Sequence, residues 1–271
     1  VSDLNLDATQ LDRYSRHVIM DEVGPDGQAA LLDANVLVVG AGGLGAPVLQ
    51  YLAAAGVGQL GIADDDVVER SNLQRQVIHA DADVGRPKVD SAREFVEALN
   101  PDVAVDTHQT RVDRDTVSGL VDDHDVVVDA SDNFATRYLL NDACVLADTP
   151  LCHGAIYKFE GQATTVPAGG GPCYRCLFPE PPEPGTVPDC ATTGVLGVLP
   201  GTIGAVQATE TVKLVTGIGD LLHGRMFTYD AADLSADEVP YRANPDCPVC
   251  GDDPVDSVAS QTYHETCVVP E

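Results

Sequence analysis

Cys173-Tyr174-Arg175-Cys176 and Cys247-Pro248-Val249-Cys250 are two Cys-x-x-Cys turns set about 70 residues apart. Each turn aims two sulfurs at one point, and four thiolates in two pairs match the closed tetrahedral set that structural Zn²⁺ takes. Pro172, Pro248 and Gly251 beside the pairs are tight-turn residues, which favours the metal. Two unrelated turns, or a disulfide, are the alternative reading of the same spacing.

A second stretch with chemical potential is Gly40-Ala41-Gly42-Gly43-Leu44-Gly45. Glycines let the backbone turn sharply and approach a phosphate, whose charge is met by amide N–H groups at a helix start. An acid about 20 residues further on accepts ribose hydroxyls in such folds, and Asp64 stands there. The glycine pattern alone fits a dinucleotide as well as ATP. Three cations, Arg75, Arg86 and Lys88, follow within fourteen residues in a cation-poor chain, and Ser131-Asp132-Asn133 comes directly after an apolar run. Cations of this kind neutralise a triphosphate, and a carboxylate at a strand end holds Mg²⁺ through its preference for oxygen ligands. An ordinary solvated surface is the competing reading of the three cations, and NAD needs neither them nor the metal.

The elements that must position these residues follow the apolar patterning. Helical spacing in Leu11–Met20 and Gly27–Leu32 leads to strands at Val36–Val39 and Leu60–Ala63, with a helix over Ala46–Ala55 between them. A Pro-led helix at Lys88–Leu99, strands at Val103–Thr107 and Val126–Asp129, and a helix over Thr136–Ala147 continue the alternation. Repeated βα units predict an α/β fold with a Rossmann-like, mainly parallel sheet and ligands at the strand ends. Further on, a helix from about Ile203 to Val215 and a β pair at Met226–Tyr229 and Glu238–Tyr241 predict a C-terminal antiparallel extension.

The chain has 271 residues, enough for a large core, with 43 acidic residues against 15 basic ones and a formal net charge of −28. Binding of nucleic acid through a general basic patch is therefore not expected. The acids are scattered over helices and loops, as in a solvating surface adapted to high salt; an acidic docking face for a basic partner is the alternative. With no signal peptide or long apolar run, a cytoplasmic protein with no membrane partner is expected. In that compartment eight cysteines suggest metal and catalysis more than disulfides.

The glycine loop, the Ser71–Gln76 stretch, Gly85-Arg86-Pro87-Lys88, Ser131-Asp132-Asn133, the Cys173–Cys176 turn and Asn244-Pro245-Asp246-Cys247-Pro248-Val249-Cys250 together resemble the ubiquitin-activating enzyme superfamily. The similarity is to its MoeB/ThiF/HesA branch, with the acidity of archaeal members that activate small modifier proteins, and it runs from about Leu11 to Gly251. It implies ATP-dependent adenylation of the C-terminal glycine of a ubiquitin-like β-grasp modifier or sulfur carrier. Protein conjugation, and sulfur transfer for tRNA thiolation and molybdenum cofactor synthesis, would be served.

By the resemblance, Gly43 and Asp64 contact the nucleotide, the latter at the ribose. Ser71, Asn72, Leu73, Gln74 and Arg75 form the phosphate-side stretch, in which Asn72 and Arg75 hold phosphates. Lys88 steadies the phosphates during transfer, and Asp132 binds Mg²⁺ with Asn133 beside it. Asp66 is placed near the nucleotide.

Arg13-Tyr14-Ser15-Arg16 matches a segment that crosses to a partner subunit, which makes Arg16 an arginine finger in a homodimer. A surface salt bridge to Asp12 or Asp21 is the plainer reading of Arg16. Cys190, beyond a proline-rich stretch, matches the catalytic-cysteine loop and is expected to carry a thioester or persulfide step, although branch members differ in its use. Cys144 and Cys152 fall in apolar patterns and read as buried thiols. His79, His153 and His264 read as ordinary polar or strand positions.

The expected organisation is a helical segment 1–34 reaching the partner subunit, an adenylation domain 35–251 with the zinc site, and a flexible tail 252–271. Sulfur, where used, is expected from a separate donor protein. An NAD-dependent dehydrogenase, or an inert zinc scaffold that binds a β-grasp partner, are the competing function classes.

Overall fold

A computed structural model describes residues 6–182 and 194–263. Its centre is an eight-stranded sheet with strands in the order β3-β2-β1-β4-β5-β6-β7-β8. The strands are β1 (Asn35–Val39), β2 (Gln59–Ala63), β3 (Ala104–His108), β4 (Val126–Asp129), β5 (Leu151–Tyr157), β6 (Glu160–Val166), β7 (Arg225–Asp230) and β8 (Ser235–Pro240). The first five run parallel, and β5 to β8 pair antiparallel.

β1 is apolar from Val36 to Val39 because both of its faces are covered there. Val36 and Val38 enter one core with the helix α4 (Gly45–Ala55), whereas Leu37 and Val39 enter the other with α6 (Val117–Asp122) and α7 (Phe134–Leu146). β4 repeats the division, with Val126 and Val128 on the first side and Val127 on the second. The helix α5 (Lys88–Leu99) links β2 to β3, and α9 (Leu199–Thr216) packs across α4, β5 and β6.

The predicted elements stand with shifted ends. The N-terminal helix divides at Tyr14 into α1 (Ala8–Arg13) and α2 (Ser15–Val18), because the Tyr14 ring is buried and its hydroxyl takes a hydrogen bond from Asn100 Nδ2. The helix α3 (Gly24–Asp33) starts before Gly27, with Pro25 in its first turn. Pro200 likewise opens α9 rather than preceding it. The strand β6 and the short helix α6 have no counterpart among the predicted elements. Of the tail expected to be flexible from residue 252, the stretch to Tyr263 is packed: Val258 is buried beside α7, and the Tyr263 hydroxyl donates to Asp142 Oδ2 at 2.8 Å.

The order of the strands reverses direction between β1 and β4. Chain connections leave this point toward opposite sides of the sheet, so a crevice opens at the carboxyl ends of the two strands. The glycine loop follows β1 into it, and Ser131-Asp132-Asn133 follows β4.

Candidate active site

The crevice is a cleft of about 380 Å³ lined by Gly42, Gly43, Asp64, Arg75, Lys88 and Asp132, among others. The loop above it depends on Gly40, at φ +100°, and Gly45, where an added Cβ would lie 1.8 Å from the Gly40 carbonyl oxygen. Asp64 braces the loop from β2, its Oδ2 accepting from the Ala41 N–H at 2.8 Å and its Oδ1 from the Asp66 N–H at 2.9 Å. Burial holds the Asp64 carboxyl above the ordinary carboxylate range, against the pull of Lys88 and the Ala41 amide.

Lys88 begins α5 and is buried, with its Nζ 2.7 Å from Asp66 Oδ2. Arg75 reaches the cleft from the turn after Arg70–Asn72, its guanidinium donating to the Ser71 carbonyl at 3.2 Å. Asn133 caps α7 by accepting from the Thr136 N–H at 2.8 Å, and it also lines the cleft.

Other residues of the implied set stand apart from the cleft lining. Asn72 is buried and accepts from the Glu69 N–H, Ser71 is exposed and donates to Glu69, and Gln74 packs at Gly197; Leu73 completes the turn. Arg86, read from sequence as a third cation for phosphate, is tied to Asp83 and Glu94 on the surface and does not line the cleft. Arg16 is exposed on α2, outside the cleft, and no ion pair joins it to Asp12 or Asp21 among the described residues. Cys190 lies outside the described residues.

A second cavity, of about 620 Å³, opens beside the first along β5 to β8. The two share Asp132, Asn133, Arg137 and Ile156. Arg137 was not singled out from sequence, and Gln76, which also lines the cleft, entered only as the end of the Ser71–Gln76 stretch. The helical repeat holds the signal for Arg137, which stands one turn after Asn133 and so on the same face of α7.

Under this junction Asp129 is fully buried, held by His153 Nδ1 at 2.8 Å and by the Ser131 hydroxyl and amide. Burial works to raise the Asp129 carboxyl, but His153, Arg137 and the Ser131 hydroxyl together outweigh it and hold the group below the ordinary range. Burial keeps His153 below its usual value, so a neutral ring donates through Nδ1–H. His79, also buried, bridges Ser91 Oγ and the Ala41 carbonyl at 2.9 Å each and so supports the glycine loop from below. His153 is a strand position, as the sequence suggested, but both histidines are buried and bonded to the site's supports.

On the other side of α7 the four sulfurs of Cys173, Cys176, Cys247 and Cys250 lie within 4.8 Å of one another. Their close pairs measure 3.3, 3.4 and 3.7 Å, and all four thiols are free. Zn–S bonds of about 2.3 Å in a tetrahedron would set sulfurs about 3.8 Å apart, so the cluster fits such an ion and could hold it. Asn141 Nδ2 donates to Cys173 Sγ, and Arg175 of the one-turn helix α8 (Tyr174–Leu177) forms a buried two-bond pair with Asp142 at 2.7 Å each. Cys144 and Cys152 are buried as expected, and burial pushes the Cys152 thiol up to about 12.

These features define a Rossmann-type α/β protein with a phosphate-type glycine loop at its switch point and a four-cysteine cluster behind it. The chain belongs to the ThiF family, whose model matches residues 14–249. It is 66% identical to the SAMP-activating enzyme E1 of Haloferax volcanii over 98% of either chain. It is 52% identical to the sulfur carrier protein adenylyltransferase of Thermus thermophilus, over 90% of this chain and 92% of that one. Among solved structures, E. coli MccB with MccA-N7isoASN shares the fold with a TM-score of 0.80 at 22% identity, over 92% of this chain and 76% of that chain.

Proposed function

We propose that this chain activates the C-terminal glycine of small ubiquitin-like modifier or sulfur-carrier proteins by adenylation with ATP. The observation that carries the reading is the confluence of the two cavities. A nucleotide in the switch-point cleft and a peptide tail in the groove along β5 to β8 would meet at Asp132, Asn133, Arg137 and Ile156. The relatives named above are an activating enzyme and an adenylyltransferase, not dehydrogenases, which supports ATP over NAD.

In this reading the glycine-loop amides around Gly43 receive phosphate and Asp64 receives the ribose. Arg75 and Lys88 face the triphosphate, so the Asp66–Lys88 pair exchanges for a phosphate contact, and Asn72 holds the turn that carries Arg75. The tail carboxylate displaces pyrophosphate from the α-phosphate. One C–O–P linkage forms, the bond to the β-phosphate breaks, and its electron pair leaves with pyrophosphate. Asp132 would hold Mg²⁺, which supplies charge neutralisation at the phosphates. The four cysteines would hold Zn²⁺, a structural role that ties α8 to the segment after β8.

Arg16 acts, in the same reading, as a finger from a second copy of the chain. The exposed Ile19 and Met20 on the next turn give that contact an apolar footing. Cys190 is assigned the later thioester or persulfide step, with sulfur from a separate donor protein, for conjugation and for tRNA thiolation and molybdenum cofactor synthesis.

Pyrophosphate–ATP exchange that depends on an added β-grasp protein ending in Gly-Gly is the test. Exchange without the modifier, or none with it, would count against adenylation of a protein tail; Cys190→Ser should leave exchange intact and abolish any dithiothreitol-sensitive adduct.

A further inference from the structure

Arg137 is a buried cation that no carboxylate contacts among the described residues, although the charge of the nearby buried Asp129 acts on it. It is 7% exposed, its Nε has no hydrogen-bond partner, and its one hydrogen bond among the described residues is a long one to the Tyr174 hydroxyl at 3.5 Å. Asp129 does not pair with it, being occupied by His153 and Ser131. Burying a guanidinium this way is costly unless something completes its hydrogen bonds. The group is nevertheless held in place, its Cζ 4.7 Å from the centre of the Phe134 ring and 5.9 Å from that of Tyr174.

Its position is informative as well. Arg137 lines both cavities, at their junction. Along the groove the other charged residues among those described are Asp132, Glu160, Glu180, Asp230 and Asp237, all acids. An anionic tail end would be repelled along that path and met by a cation only where the groove reaches the nucleotide cleft.

We propose that Arg137 binds the terminal carboxylate of the protein substrate and holds it at the junction, facing the α-phosphate. This rests on the adenylation reading above and names the residue that receives the nucleophile. The planar fork suits a carboxylate through two parallel N–H donors. The arginine stays protonated throughout. Its contribution is to place the carboxylate and to offset its repulsion from the phosphates before the bond forms.

The test uses the full chain and a short synthetic peptide ending in Gly-Gly, prepared with a terminal carboxylate or a terminal carboxamide, without nucleotide. Wild type should bind the carboxylate form more tightly by about tenfold or more, the scale of one charge-assisted hydrogen bond. Arg137→Gln should bind the two forms equally, at the affinity wild type shows for the carboxamide, and Arg137→Lys should keep part of the preference. A preference that survives in Arg137→Gln overturns the assignment, as does equal weakening of both forms, which is what a purely structural role gives. Should Arg137→Gln fail to fold, the wild-type preference and its reduction in Arg137→Lys decide the matter, and an undiminished preference in the lysine variant overturns it. Wild type that binds neither peptide removes the groove reading itself, a result distinct from loss of discrimination at Arg137.

Discussion

At the scale of single residues, the cleft is controlled by contacts that leave no room for change. A methyl at position 45 would sit 1.8 Å from the Gly40 carbonyl, so Gly45→Ala must displace the loop. Nucleotide affinity should then fall at least about tenfold, because misplaced amides lose phosphate hydrogen bonds of 1.5–3 kcal/mol each, while the far side of the sheet keeps its fold; calorimetry with an ATP analogue and circular dichroism check the two halves. The histidines give a pH dependence. Burial holds His79, His124 and His153 below the ordinary histidine value. The unfolded chain takes up protons below about pH 6.5 that these folded imidazoles refuse, so their contribution is intact above that pH and is lost as pH falls through it. The loss should reach up to about 1.4 kcal/mol per pH unit for each residue, and denaturant midpoints at pH 7.5 and 5.5 in one high-salt buffer measure it. That the glycine loop, Asp64, Lys88 and Asp132 share one cleft was legible in the sequence, because their types and spacing put them at or soon after the ends of strands. Arg137, His79 and His153 were not, since what matters about them is burial and partners set by distant segments, such as the Ala41 carbonyl for His79.

At the scale of elements, α7 is the part that couples the two ends of the molecule. Its first turn carries Asn133 and Arg137 to the cavities, and its middle carries Asn141 and Asp142 to the cysteine cluster. Asp142 is fully buried and binds Arg175 through both oxygens while also accepting from Asn141 and Tyr263. Asp142→Ala strands the Arg175 guanidinium, and breaking a buried pair from one side costs about 3–5 kcal/mol. Guanidinium denaturation should show that loss, and limited proteolysis should show earlier release of the segment after residue 251; unchanged stability would argue against the anchoring role. The strands with continuous valine and leucine, β1 and β4, were legible because parallel strands buried on both faces must be apolar. β6 was not, since Glu160-Gly-Gln-Ala-Thr-Thr-Val166 has no clear alternation and becomes a strand through its seven-residue register with β5. The packing of residues 252–263 was equally hidden, for it rests on Val258 and Tyr263 in a polar stretch and on backbone bonds from Asp252 and Val255 to Pro245 and Pro248.

At the scale of the whole molecule, charge sets the conditions under which the fold is stable. A formal charge of −28 spread over 271 residues gives a compact state that repels itself. The few cations do not offset this, because several are committed to local pairs such as Arg70–Asp81, Arg86–Glu94 and Arg225–Glu238. Screening length falls from about 10 Å at 0.1 M salt to about 3 Å at 1 M. Repulsion between acids on separate elements is thus relieved at molar salt, whereas the ion pairs in contact and the buried Asp142–Arg175 pair lose much less. The net effect is stabilisation by salt, opposite to what a chain held together by surface ion pairs would show. The melting temperature should climb steadily as KCl rises from 0.1 M to above 1 M, and a neutral osmolyte of matched osmolarity should reproduce only the part due to surface exclusion. A melting temperature independent of KCl would mean that the acids are kept for docking a basic partner, with the repulsion already balanced within the fold. The same screening bears on the proposed homodimer, since two copies of a chain this acidic repel one another less when their charges are masked. A mixture of Arg16→Ala chains with chains carrying Asp132→Ala should therefore recover exchange activity at molar KCl, toward about a quarter of wild type if subunits pair at random and each site needs one Arg16 and one Asp132 from different chains. Failure to recover at any salt concentration would place Arg16 in its own subunit's chemistry or outside the reaction altogether.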